Sequence, residues 1–445
     1  MSINTELSLD ARPQNWLARL WNDPRAVWCV ALIPYLIAVG GSARAIATGH
    51  RPGNLIDFLG ASRQMLEGRD IYFGGTYAYV YPPLIAFLYQ PLAMLPENVA
   101  GYISLAINAA VSLFTLQLVS RTLLQRLTGK IDPLLVARVA LFAAICTTDK
   151  IKTELFHLET NVFMLLAFSA AMRWVDRRPV LCGLALGFAF NIKYLPLVLV
   201  PYLLLRRRWS AVGWFAVWAL AFALLPAISM GWTANAQAWA QAGGGLSNLF
   251  GLNLGVHKAA LLRPSEHGVS ISLTSGIARI MDIPEPFPLF ISAAIGALFC
   301  LFAAKMYARN KVPILAWPPV ADQARPPFRG LFSIEWMGML LLTLVFSPFT
   351  NSRHLYMLLD VNAAAGVLLL ATDRRLVKWP LAVAAVLMAL GITFPPGAIP
   401  AIEPADDFWR TISGASCCML VMYTVLIFTN VRWQTSALRP PPENG

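Results

Sequence analysis

Only 23 of the 445 residues are acidic, and one of them, Asp57, stands just past the first membrane-length apolar run, a short way before Tyr81-Pro82-Pro83-Leu84. A carboxylate so placed can take a proton from a hydroxyl whose oxygen attacks an electrophile, the work of a general base. The arrangement points to an enzyme acting at a membrane surface with Asp57 as its base. Aspartate is also a leading helix N-cap, and Phe58, Leu59, Met65 and Leu66 follow at roughly the spacing of an amphipathic interfacial helix. Composition alone favours the cap. Lys193, in Asn191-Ile192-Lys193-Tyr194, separates two apolar half-helices at 180–190 and 194–205. A charge there is costly and tends to be functional; a lysine snorkelling to the interface is the alternative. The run Ser347 to His354 offers Asn351, Arg353 and His354, and another short polar stretch offers His157 and Glu159. Each also reads as an ordinary interfacial loop.

The elements that must hold these residues are membrane helices. Hydrophobic residues make up 57% of the chain and charged ones 13%, against roughly 25% charged in a soluble domain. Spans are expected near 26–43, 99–119, 134–149, 161–175, 210–230, 286–306, 331–347, 354–371, 379–395 and 411–429. The two half-helices are each too short for a hydrocarbon core that needs about 20 helical residues, so they form a re-entrant hairpin or one broken helix. Residues 79–98 read as a short or interfacial element, because prolines at 82, 83, 91 and 96 interrupt them. No small-residue cleavage site follows the first apolar run, which reads as a retained span.

The net charge of +12 comes from basic residues at the ends of apolar segments, not from one stripe. They look like topology anchors, and nucleic acid is not an expected partner. The six cysteines lie inside apolar segments without CxxC spacing, so neither a disulfide framework nor a metal site is indicated. No cofactor is expected. Arg206 to Arg208, Lys305 to Lys311 and Arg374 with Arg375 fall on one side if the spans alternate, the cytoplasmic side by the positive-inside rule. The expected organisation is a cytoplasmic segment 1–25, a membrane domain 26–430 and a disordered tail 431–445, with outer loops near 44–78, 150–160, 231–285, 347–354 and 396–410. Gly243 to Gly245 read as a flexible or tightly turned loop. Asp57, His157, Glu159, Lys193 and the Ser347 to His354 run all map to the outer side.

Four stretches then carry a resemblance. Asp57-Phe58 with Glu67-Gly68 and Tyr72, Tyr81-Pro82-Pro83-Leu84 running to Pro91 and Pro96, Gly183 to Arg208 with Lys193-Tyr194-Leu195-Pro196, and Ser347-Pro348 followed by His354 appear in order over about residues 50 to 370. In these the sequence resembles glycosyltransferase family 87, the polyprenyl-phosphate-mannose-dependent mannosyltransferase-like proteins. The resemblance implies an all-α polytopic membrane protein with the GT-C fold, about 10 to 13 transmembrane or re-entrant helices and an outer-facing site. It implies transfer of a hexose, mannose first, from a polyprenyl phosphate to a hydroxyl of a lipid-linked or envelope glycan, inverting and metal-independent, in a bacterial inner membrane. Asp57 matches the family's base. Lys193, His354 and Arg353 become candidates for the donor phosphate, and Tyr81, His157, Glu159 and Asn351 for the substrate pocket. An arabinofuranose donor stays open.

The chain departs from the family where Glu159-Thr160-Asn161 replaces a Gly-Gln before the Asn-led helix, and where Thr350 to His354 replaces a Ser-Trp-x-His-His run. Those changes bear on sugar and acceptor more than on reaction type. The rival class is a transporter or lipid flippase, for which an internal repeat would be expected; no duplicated half is visible.

Overall fold

The computed structural model describes residues 20–50, 52–72, 79–249, 268, 270–284, 286–310, 312, 330–371, 375–393 and 408–436. Most of the N-terminal segment, His257, His267, the proline-rich linker, the 396–407 part of the last outer loop and the end of the tail lie outside the described residues. Eight helices lead to the centre of the chain: α1 (Pro24–Ala47), α2 (Gly53–Leu66), α3 (Pro83–Leu88), α4 (Glu97–Thr128), α5 (Pro133–Cys146), α6 (Thr148–His157), α7 (Asn161–Trp174) and α8 (Pro179–Phe190). Then come α9 (Leu199–Leu205), α10 (Trp209–Leu224), α11 (Trp232–Leu249), α12 (Leu273–Met281), α13 (Phe287–Arg309), α14 (Leu331–Phe346), α15 (Leu359–Ala371), α16 (Arg375–Thr393) and α17 (Gly414–Ser436). Among the described residues there is no sheet, only an isolated bridge between Ser270 and Asn351. Among the described residues five stretches are long and apolar enough to cross a membrane, and each expected span falls on a helix. The protein is a multi-pass, all-α membrane protein.

Local chemistry sets the helix starts. Asp23 accepts from the Arg25 amide at 2.9 Å with Pro24 in the first turn, and Asp132 accepts from Leu134 at 2.9 Å ahead of Pro133. Proline suits these positions because its missing N–H would have no helical partner there. The central element is Ser352–Ala371, a 3-10 turn running into α15, which packs on α4, α5 and α7 and is buried over most of its length. By contrast α13 keeps Phe290, Leu298 and Leu301 largely exposed, as a lipid-facing helix would.

The broken segment resolves into a hairpin. A Cβ on Gly183 would meet the Trp214 backbone at 2.5 Å, and one on Gly187 would meet Ala219 at 2.7 Å and Trp218 at 2.8 Å. The partner numbers rise together, so α8 and α10 run parallel, and residues 195–205 between them must return. Asn191 to Tyr194 therefore form the hairpin tip, tied by Asn191 Nδ2 to the Ala219 carbonyl at 3.0 Å. With 12 residues, α8 lifts this tip about 18 Å from its starting end. The two ends of the hairpin stay together at the base, where Asp176 pairs with Arg126 at 3.0 Å and Arg208 at 2.5 Å. Beside them Glu335 of α14 binds Arg206 and accepts from Tyr202 at 2.7 Å. The Gly183-x-x-x-Gly187 stripe is a small-residue contact of the kind that lets membrane helices approach closely. Gly183→Val is expected to force α8 and α10 apart, costing about 3 kcal/mol or more, seen as a lower melting temperature in detergent and loss of protein from the membrane.

Four expectations change, the first at the tail, where residues 431–436 continue α17 and are not disordered. Residues 232–249 of the supposed outer loop are helical, including Gly243 to Gly245. Tertiary contacts outweigh the glycines: Trp239 stacks on Phe190 at 6.1 Å and donates to the Ala223 carbonyl at 3.1 Å. The 150–160 stretch is mostly α6, ending where Leu158 turns at φ 53°. Asp57 is the fifth residue of α2, whose N-cap is Pro52, so the capping explanation for it fails. Between α2 and α4, α3 has six residues, about 9 Å, too short to cross.

Candidate active site

The ends of these elements line a cavity of about 740 Å³. Its polar wall brings together Asn54 of α2, Tyr81 before α3, Glu159 before α7, Lys193 at the hairpin tip, and Asn351, Arg353 and His354 after α14. Six of the eight residues singled out from sequence thus line one space. Asp57 and His157 are not on the lining. Asp57 is 9% exposed and follows Asn54 by three residues, about 4.5 Å along α2.

The charged groups are held in two different ways. Arg353 pairs directly with Glu159 at 2.9 Å and reaches Asn54 Oδ1 at 3.4 Å. Lys193 donates instead to a neutral acceptor, Asn161 Oδ1, at 2.7 Å, and lies 5.5 Å from the centre of the Tyr81 ring. The Asn161 amide nitrogen donates to Glu154 Oε2 at 3.0 Å, and Glu154 Oε1 accepts from the Val162 amide at 2.9 Å. Burial pushes the Glu154 carboxyl up, and the nearby Glu159 adds to the rise; Asn161, Lys193 and the Val162 amide oppose it. His157 is lowered, first by burial and then by Arg353, against the pull of Glu159, so it is a neutral hydrogen-bonding group near pH 7.

The Ser347 to His354 run is braced from below. Ile271 donates to the Thr350 carbonyl at 2.8 Å, Ser275 to the Pro348 carbonyl at 3.2 Å, and Arg279 binds the Ser270 carbonyl at 3.1 Å. Ser272 caps α12 by accepting from Ser275 at 3.1 Å. Residues 270–279 are thus packed in to support the wall.

The rest of the cavity is apolar. Leu289, Ala293, Gly296 and Cys300 line it from one face of α13, opposite Leu342 and Phe346 of α14. Eleven residues separate Leu289 from Cys300, so the groove runs about 16 Å along the helix. A single space therefore couples a cationic wall to a greasy channel beside a lipid-facing helix. Among the described residues no group of three His, Cys, Asp or Glu side chains is placed to hold a metal ion.

The profile of glycosyltransferase family 87 matches residues 79–318, more than half of the chain. The chain belongs to glycosyltransferase family 87. Over 340 residues it is 27% identical to the polyprenol-phosphate-mannose-dependent alpha-(1-2)-phosphatidylinositol pentamannoside mannosyltransferase of Mycolicibacterium smegmatis, covering 73% of this chain and 72% of that protein. A polyprenol-phosphate-mannose-dependent alpha-(1-2)-phosphatidylinositol mannoside mannosyltransferase of Mycolicibacterium smegmatis is 26% identical, with 80% and 78% covered. Its namesake in Mycobacterium tuberculosis is 24% identical, with 94% and 96% covered. Within the family match lie Tyr81, His157, Glu159 and Lys193; Asp57, Asn351, Arg353 and His354 lie outside it. The cavity joins Tyr81, Glu159 and Lys193 of the first set to Asn351, Arg353 and His354 of the second. The family 87 enzyme is a membrane glycosyltransferase with a GT-C-like fold.

Sequence reasoning missed Asn54, Glu154 and Asn161. Asn161 was visible as the head of an apolar helix. Nothing in the sequence sets Glu154 apart from the other charges of α6.

Proposed function

We propose that this enzyme transfers a hexose, mannose first, from a polyprenyl phosphate to a hydroxyl of a lipid-linked or envelope glycan, on the outer face of a bacterial inner membrane. The observation that carries the reading is the shape of the cavity: Lys193 and His354 stand on the wall of a space that continues as the α13 groove. A sugar phosphate at the wall and a prenyl chain in the groove match that polarity, whereas the second half of a nucleotide sugar would leave its polar atoms against leucine and phenylalanine. The names of the three relatives point the same way.

In this reading Asp57 accepts the proton of the acceptor hydroxyl as its oxygen bonds to the anomeric carbon. The bond from that carbon to the phosphate oxygen breaks on the opposite face, and configuration inverts. The departing polyprenyl phosphate carries the extra negative charge, which the Lys193 ammonium stabilises by charge and His354 by hydrogen bonding, effective in a water-poor site. The cation at the phosphate is then protein-borne, and no metal is needed. Arg353 takes a different part from the one the sequence suggested: held by Glu159 and Asn54, it joins α2 to the cavity wall. Tyr81, Asn351, Glu159 and His157 shape the sugar and acceptor side.

Membranes containing the enzyme are expected to move labelled mannose from polyprenyl-phosphate-mannose to a lipid-extractable product with a chelator present, and to give none from guanosine diphosphate mannose when lipid-linked donor synthesis is blocked. Transfer from the nucleotide sugar alone would overturn the donor assignment. Labelled arabinose from its polyprenyl phosphate, with no mannose moved, would change the sugar and keep the mechanism. Passage of the intact lipid across vesicles without transfer would favour the flippase class.

A further inference from the structure

Two carboxylates approach the cavity, and they treat its cations differently. Glu159 contacts Arg353 directly. Glu154, 1% exposed, stays one amide away from Lys193. The intervening side chain is Asn161, itself fully buried, and its orientation is dictated by chemistry: a lysine ammonium only donates and a carboxylate only accepts. The Asn161 oxygen must face Lys193 and its nitrogen must face Glu154. The same nitrogen is 3.4 Å from the Arg353 carbonyl. One amide is thus the node where α6, the Ser347 to His354 run and the hairpin tip meet.

We propose that Glu154 is a positioning residue for the donor phosphate, which acts through the Asn161 amide to fix the Lys193 ammonium on the cavity wall without neutralising it by contact. The inference rests on the reading of Lys193 as a phosphate anchor. A direct carboxylate partner would hold the ammonium equally well and take up charge that the phosphate needs. A neutral acceptor alone would hold it loosely, because an unrestrained amide can flip. Glu154 removes that freedom by accepting from the amide nitrogen. The Glu154 carboxyl meets its two donors, Val162 N–H and Asn161 Nδ2, with different oxygens, so each oxygen has one fixed partner.

The test uses the hydrogen-bond polarity of the relay. Glu154→Gln keeps size but offers one acceptor. Once its oxygen takes the Val162 N–H, its own NH2 faces Asn161 and turns the amide nitrogen toward Lys193, donor against donor. The donor kcat/KM is expected to fall about 10- to 100-fold, mostly through KM, with weaker inhibition by added polyprenyl phosphate. Adding Asn161→Asp restores an acceptor toward both neighbours, and at least half of the loss on a logarithmic scale should return. A helix-capping role alone would not predict that rescue.

If Glu154→Gln leaves the donor KM unchanged while Lys193→Ala raises it, the positioning role is rejected and the phosphate site stands. If Lys193→Ala itself leaves donor KM and polyprenyl phosphate inhibition unchanged, the phosphate reading falls and the relay with it. Equal losses in melting temperature and activity, without rescue by Asn161→Asp, reduce Glu154 to a cap for α7. Should Glu154→Gln fail to accumulate, the double variant decides: accumulation with a donor KM between those of the native enzyme and Lys193→Ala supports the relay, because the introduced carboxylate holds the ammonium but also neutralises it, while a native KM or failure of both overturns it.

Discussion

Replacing Asp57 by asparagine is expected to lower the rate of transfer about a thousandfold, within the 10²- to 10⁴-fold range of general acid–base catalysis. Donor and acceptor KM and the melting temperature should change little. The argument begins with α2, where Asp57 is an interior residue and not a cap. Three residues earlier Asn54 lines the cavity and receives Arg353 at 3.4 Å, so this helix is registered against the cavity wall. Asparagine has the same shape as aspartate and no basic oxygen at neutral pH. It can still meet an acceptor hydroxyl, but cannot take its proton as the new glycosidic bond forms. A kcat effect without a KM effect is the mark of an interaction made in the transition state. Single-turnover transfer with preloaded donor reads that step directly. A retained rate would move the base elsewhere, with Glu159 on the cavity wall the next carboxylate to replace. A matched fall in melting temperature would make Asp57 a structural residue of the buried α2 face.

How much of this was legible before folding depends on context. Lys193 stood out because a charge between apolar half-helices is expensive, and the fold puts it at a hairpin tip on the cavity wall. The hairpin itself was one of two options in the sequence. The choice was written in Gly183 and Gly187, but only the register against Trp214 and Trp218 makes it readable. Asp57 had two readings, and α2 starting at Gly53 removed one. Glu154 was illegible for the opposite reason to Lys193. It shares a ten-residue helix with Asp149, Lys150 and Lys152, where a charge looks ordinary, and only the fold buries it and turns its carboxyl onto Asn161 and Val162 at the head of α7. Arg353 was legible as a cation but not as a paired one, because Glu159 is 194 residues away in sequence. Gly243 to Gly245 misled because glycine predicts a loop only when nothing packs on its neighbours, and α11 is held by Trp239.

The second large effect should come from the groove. A Cβ on Gly296 would meet the Phe346 ring at 3.6 Å, ordinary contact distance, so an alanine fits and a tryptophan must fill the channel. Gly296 lies seven residues along α13 from Leu289, about 10 Å along the groove. A prenyl chain reaching beyond that point would lose its bed in the Gly296→Trp variant, while a chain that stops short would not notice. Each methylene-sized group removed from burial is worth about 0.8 kcal/mol. Four such groups lost come to about 3 kcal/mol, on the order of 100-fold in kcat/KM. Long-chain polyprenyl-phosphate-mannose is therefore expected to lose about 100-fold, and a two-isoprene donor less than about threefold. The loss should sit in KM, since the reacting atoms lie at the other end of the cavity. Gly296→Ala is the control, with both donors near native. Equal losses for both chain lengths would place the tail elsewhere and leave the groove as a packing defect beside α13. A chain-length-dependent loss would tie the lipid and the sugar phosphate to one continuous site, with Lys193 and His354 at the point where the prenyl chain ends and the chemistry begins.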